Sequence, residues 1–124
     1  MSILYILEGK EPKPVDDASE WGRWFEKADR HVAKTELRNR VIVSTVFLGL
    51  DHSFGGGIPI LFETMIFGGK HNHYQERYAT WEEAEAGHLR AIKLVKGRVR
   101  AQFKKGSKAE QVNPAQSEER ERKA

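Results

Sequence analysis

The chain has 124 residues, with 21 lysines and arginines, 18 aspartates and glutamates and no cysteine. This length is typical of one domain, and the absence of cysteine excludes disulfides, zinc–thiolate sites and thiol nucleophiles. The first ten residues have neither the basic start of a signal peptide nor the run of about 20 apolar residues that spans a membrane. We therefore expect a cytoplasmic protein without a membrane segment.

The positive charge is concentrated at the C-terminus. Arg98 to Ala124 contains eight basic and four acidic residues, whereas Met1 to Gly97 contains 13 basic and 14 acidic residues. A basic tail is only a weak indication of nucleic-acid binding, and a segment with so few apolar residues has little to bury. We predict one domain over residues 1–97 and a charged, disordered tail over residues 98–124.

The first third of the chain contains one clear helix signal. Ile3–Leu7 is a short apolar run typical of a strand, and Glu8–Pro14, with two prolines, indicates a loop. Asp17 is a suitable N-cap for a helix over Ala18–Ala33, whose apolar residues recur at spacings of three and four. The polar segment Lys34–Asn39 is predicted to be a turn.

The middle of the chain predicts a hairpin followed by a second helix. Arg40–Leu48 is apolar on both faces, which favours a central strand, and Ile60–Phe67 is the return strand. Glu76–Ala79 is a possible further strand. A capping box at Thr80 then begins a helix that runs to about Lys96. The order β-α-β-β-(β)-α predicts an α+β fold, a small antiparallel sheet with two helices packed on one face.

The connection between the two hairpin strands carries the most unusual chemistry. Asp51, His52, Ser53 and Phe54 come directly before Gly55–Gly57. Glycine backbone takes positive φ and exposes its amides to a ligand, which can create an anion-binding concavity. No Gly-Lys-Ser/Thr follows, so the motif is not a P-loop. The alternative is a merely flexible loop, but the aromatic ring and two ionisable groups favour a binding site.

Glu63 stands in the middle of the apolar run Leu61–Met65. A buried carboxylate is costly unless it is paired. If residue 48 pairs near residue 60, Glu63 lies across from residues 44–46, with the hydroxyls of Ser44, Thr45 and Thr64 in a polar strip beside it. We therefore expect Glu63 to share a concavity with the connection, the alternative being a position on a water-facing sheet surface.

An enzymatic interpretation uses some of the same residues. Asp51, His52, Glu63 and His88 could together provide acid/base or metal-assisted hydrolysis. His88 also lies on the apolar stripe of the last helix, where a core histidine is the simpler interpretation. Two further histidines, His71 and His73, lie in a polar loop. No complete metal-ligand signature is present, so we predict neither a metal nor a cofactor.

Two segments resemble a known group of proteins. The patterns VSTVFLGLDHSFGGG-x-P-x-LFETM-x-FGG and RYATWEEAEAGH are similar to those of small uncharacterised proteins encoded by bacteriophages and prophages. The resemblance covers about Trp21 to His88. It implies an accessory protein expressed in the host bacterial cytoplasm, a setting in which such proteins bind a host protein or sequester a signalling nucleotide.

Our first functional hypothesis is a non-catalytic binder of a small anionic ligand, such as a host signalling nucleotide, acting in counter-defence. We expect a homo-oligomer, since a hairpin of this size makes only a shallow pocket. The hydrolase above is one alternative, and an inhibitor that docks on a host enzyme is another. The predicted ligand-binding residues are Asp51, His52, Ser53, Phe54, Gly55, Gly56, Gly57, Glu63 and Arg77.

Overall fold

A computed structural model describes residues 3–97. It contains six strands and two helices. The strands are β1 (Leu4–Glu8), β2 (Glu11–Val15), β3 (His31–Leu37), β4 (Val41–Phe47), β5 (Phe62–Phe67) and β6 (Gln75–Tyr78), and the helices are α1 (Ala18–Lys27) and α2 (Trp81–Lys96).

The strands form two antiparallel sheets. β1 and β2 make a hairpin, and the second sheet has the order β3-β4-β5-β6. β4 is therefore central, as its apolar residues on both faces predict. It pairs with β5 so that Val46 lies opposite Glu63 and Phe47 opposite Phe62. The α+β fold class is confirmed.

One face of the four-stranded sheet forms the core. Along β4 and β5, buried and partly exposed residues alternate, which places Phe47, Phe62 and the neighbouring alternate residues inside. Both helices pack on this buried face: the ring of Trp24 in α1 meets Phe47 edge-on at 5.8 Å, and His88 in α2 bonds Thr45.

Helix α1 is shorter than its pattern predicts, and the turn predicted after it is wrong. Asp17 caps the helix by accepting from the amides of Ser19 and Glu20, but the helix ends at Lys27. The segment predicted to end the helix and form a turn is instead the edge strand β3. Its inward and outward residues alternate, and a half-polar edge strand lacks the continuous apolar run by which a central strand is recognised.

The loop predicted over Glu8–Pro14 is also wrong, because most of it is strand β2. Pro12 and Pro14 pair with Leu7 and Tyr5. Being two residues apart, the two prolines turn their nitrogens to the same side, away from β1, where no ladder hydrogen bond is lost. The amide of Tyr5 correspondingly points away from β2 and donates to the carbonyl of Gly49 at 2.9 Å.

Helix α2 begins at the predicted capping box. The Thr80 hydroxyl accepts from the Glu83 amide, and the Glu83 carboxylate accepts from the amides of Ala79 and Thr80. Gly87 lies on the buried face of this helix, directly against the Tyr78 hydroxyl. An added Cβ there would lie 2.0 Å from that oxygen, so the helix approaches the sheet this closely only because residue 87 is glycine.

Residue contacts divide the chain into two units, Met1–Ile92 and Lys93–Ala124. The second unit is described only as far as residue 97 and contributes the last turn of α2. The predicted tail, residues 98–124, lies outside the described residues. Among residues 3–97, no helix has the length and apolar character needed to cross a membrane.

Candidate functional site

The connection between β4 and β5 is held at its base by one carboxylate. An oxygen of Asp51 accepts from the Ser53 amide at 2.8 Å and from the Ile60 amide at 3.0 Å. Partial burial opposes ionisation, but the two backbone hydrogen bonds outweigh it and hold the pKa of Asp51 below its usual value. Asp51 thus acts as an internal brace of the connection, since its acceptor oxygen is already bound to backbone.

His52 supports the aromatic residue of the connection. Its amide donates to the Ile60 carbonyl at 3.0 Å, and its Nδ1 lies 2.9 Å from the Leu50 carbonyl, which assigns the proton to Nδ1. The imidazole meets the Phe54 ring nearly perpendicularly at 5.9 Å. The predicted residues Asp51 to Phe54 therefore do form one structural unit.

The tip of the connection is exposed and takes unusual backbone angles. Phe54 and Gly55–Gly57 all have positive φ, and nothing lies within 4 Å of the positions that glycine side chains would occupy. A positive φ is strained for a bulky residue such as phenylalanine. Phe54 is nevertheless 83% exposed, so folding gains almost nothing from its ring.

Exposed apolar side chains concentrate at this connection and at the strand beside it. Among residues 3–97, six large apolar side chains are exposed. Leu50, Phe54 and Ile58 belong to this connection and Ile3 to the adjoining segment, and we refer to these four exposed side chains as the apolar surface. The Asp51 amide donates to the Ile3 carbonyl at 2.9 Å, and Leu50 pairs with Leu4, so the two segments are joined. The sequence interpretation missed Ile3, Leu50 and Ile58 because apolar character alone does not indicate exposure.

Glu63 and Arg77 lie opposite each other on β5 and β6, on the face of the sheet that points away from His88. Arg77 Nε donates to one oxygen of the Glu63 carboxylate at 3.0 Å, and the side-chain Nε2 of Gln75 donates to the same oxygen at 2.7 Å. Within the described part of the chain, no hydrogen bond, ion pair or ring contact joins either residue to residues 51–57. The Glu63 side chain is only 12% exposed, and its pairing with Arg77 and Gln75 satisfies the carboxylate. A concavity shared by Glu63 and the connection stays a prediction.

His88 is part of the core. It is 4% exposed, its Nε2 lies 2.9 Å from the Thr35 hydroxyl, and its Nδ1 lies 2.7 Å from the Thr45 hydroxyl, which also bonds Thr64. Burial lowers the pKa of His88 and favours the neutral ring. Alternation along the strands puts Thr45 and Thr64 on this face, opposite Glu63, so the threonines do not line a strip beside that carboxylate. The sequence feature that indicated this core position is the place of His88 within the apolar stripe of a helix.

A second polar cluster, partly exposed, joins β6 to α2. The Glu76 carboxylate accepts from the hydroxyls of Tyr74 and Tyr78, and Arg90 donates to both of its oxygens at 3.2 Å. Burial and the nearby carboxylate raise the pKa of Tyr78 to about 12 and that of Tyr74 further still. These hydrogen bonds connect the strand to the helix, which indicates a structural role for the cluster.

The structure does not assemble the four residues of the hydrolase interpretation. Glu63 and His88 lie on opposite faces of the sheet, and Asp51 is committed to backbone amides. Within residues 3–97, no group of three or more histidine, aspartate or glutamate side chains is arranged to hold a metal ion.

A cavity of about 290 Å³ lies beside the apolar surface. Three segments line it: the β1–β2 hairpin, the end of the connection and the start of α2. The lining residues are Tyr5, Lys10, Glu11, Pro12, Ile58, Pro59, Leu61, Ala79, Thr80 and Glu82. Ile58 belongs to both the cavity and the apolar surface.

Comparison of the chain with protein-family models, with curated proteins and with solved structures finds no match in any of the three.

Proposed function

We propose that this protein is a non-catalytic binding module that docks on another protein through its apolar surface, with Phe54 as the central anchor. The observation that carries the proposal is that Phe54 is 83% exposed on a braced connection. Large apolar rings that enter a pocket of a partner contribute much of the binding energy in protein interfaces. The partner has an apolar cleft, because the connection offers a projecting ring.

The brace under Phe54 supports binding because it reduces the conformational entropy that the connection loses when a partner binds. Asp51 ties both ends of the connection together, and His52 packs against the Phe54 ring. A ring that is already held in position loses little conformational entropy when a partner binds. The strained φ of Phe54 fits this interpretation, since strain at an exposed residue contributes nothing to folding.

Capture of a small anion stays a prediction, and the surroundings of the glycines favour it less. No lysine or arginine occurs between Leu48 and Leu61, and the one carboxylate there is ionised. Immediately before α2, the amides of Ala79 and Thr80 are occupied by the Glu83 carboxylate, whose negative charge disfavours an anion at this helix N-terminus. The phage-like patterns support a bacterial protein as partner, with inhibition of a host enzyme as the outcome.

The test compares Phe54→Asn with wild type, because asparagine tolerates positive φ and the change removes only the ring. Immobilised protein is incubated with bacterial lysate, retained proteins are identified by mass spectrometry, and a candidate is purified for calorimetry. Loss of an anchor worth about 2 kcal/mol weakens binding about 30-fold.

Leu89→Ser is the matched control, because Leu89 is 60% exposed on α2 and lies outside the apolar surface. The control should bind like wild type. A purified partner with equal affinity for wild type and Phe54→Asn would refute the proposal. A small anion retained by the purified protein in native mass spectrometry would favour the ligand-capture hypothesis instead.

A further inference from the structure

We infer that the cavity beside the apolar surface receives a cationic side chain, an arginine or lysine, of the partner protein. The inference rests on the proposed function and specifies the chemistry of the partner next to the Phe54 pocket. It draws on the size of the cavity, the character of its walls and the charges at its edge.

The size of the cavity favours a single side chain. Its volume of about 290 Å³ is at the lower end of the roughly 300–1,000 Å³ typical of small-molecule pockets. One long side chain fits within this space. Phe54, on the same connection as Ile58, would then contact the partner at a second point.

The walls and the edge match a long cationic side chain. Tyr5, Ile58 and Leu61 provide apolar surface for its aliphatic stem, which long cationic side chains bury readily. The acidic residues Glu11 and Glu82 line the same cavity, and neither has an ion-pair partner among the described residues. Two unpaired carboxylates against one lysine favour a positive over a negative guest.

An internal contact shows that this corner already accepts a cation. Lys10 extends its ammonium group over the Trp81 ring, 5.8 Å from the ring centroid, and Lys10 itself lines the cavity. This is the geometry of a cation–π interaction. Within residues 3–97, Lys10 forms no ion pair with Glu11 or Glu82, so both carboxylates are available to the partner.

The experiment uses blocked arginine, N-acetyl-arginine-N-methylamide, as the probe. The full ¹⁵N-labelled chain is titrated into the millimolar range while amide chemical shifts are followed. We expect saturable shifts confined to Tyr5, Lys10, Ile58 and the start of α2. Blocked glutamate and blocked norleucine, which lack the positive charge, should bind more weakly.

The decisive variant is the double change Glu11→Gln and Glu82→Gln, with Glu85→Gln on the exposed side of α2 as its control. The double variant should bind blocked arginine about tenfold more weakly, equivalent to about 1.4 kcal/mol, and the control should match wild type. Equal binding by the double variant, equal binding of blocked glutamate, or no saturable shift with any probe would overturn the inference. Phe54→Asn should still bind blocked arginine, so rejection of the Phe54 anchor can be distinguished from rejection of this cavity.

Discussion

Gly87→Ala should destabilise the protein, although the same change usually stabilises a helix. Alanine is favoured over glycine by about 1 kcal/mol within a helix. At position 87, however, the new Cβ would lie 2.0 Å from the hydroxyl oxygen of Tyr78, 2.2 Å from its Cζ and 2.4 Å from its Cε1. Such separations are far below contact distance, so the ring or the helix must move.

The magnitude follows from the contacts of Tyr78, which is 5% exposed and bonds Glu76 at 2.9 Å. Overpacking a core costs about 1–3 kcal/mol, and a lost hydrogen bond about 1 kcal/mol more. After subtraction of the helical gain, Gly87→Ala should lose about 2 kcal/mol of unfolding free energy. For a domain of this size, that loss lowers Tm by roughly 10 °C.

Urea denaturation and thermal melting of the purified variant measure this change. Gly22→Ala is the matched control, because Gly22 lies within α1 and an added Cβ meets nothing within 4 Å. That control should gain up to about 1 kcal/mol. A Gly87→Ala variant as stable as wild type would show that α2 does not approach Tyr78 this closely.

Two further predictions concern ionisable groups. Since burial lowers the pKa of His88 in the folded state, the unfolded chain binds the proton more readily, and stability should fall as the pH drops below about 6.5. In urea denaturation across this pH range, the unfolding free energy of His88→Gln should depend less on pH than that of wild type, whereas the control His71→Gln should behave like wild type. Asp51→Ala removes the acceptor shared by Ser53 and Ile60 and should cost about 2 kcal/mol, whereas Asp51→Asn keeps an acceptor oxygen and should cost less; equal losses in urea denaturation would show that the charge, not the brace, matters.

Local pattern was sufficient for the elements whose signals lie within a few neighbouring residues. The N-caps at Asp17 and Thr80, the central strand over Val41–Phe47 and its partner Phe62–Phe67 are as predicted. A cap depends on residues three apart, and a central strand is apolar on both faces. The same information predicts the α+β class.

Pairing with an adjacent strand decided the rest, because a hydrogen-bonded neighbour can stabilise a polar or proline-containing strand that local propensity disfavours. It made strands of His31–Leu37 and Glu11–Val15. Strand alternation directs Thr45 toward His88 and Glu63 to the opposite face of the sheet, although both belong to paired strands. The sequence by itself located the connection at Asp51–Gly57. Only the tertiary structure decided that Asp51 braces the connection internally and that Phe54 is left exposed. Both depend on which backbone amides the folded chain brings within reach of the Asp51 carboxylate.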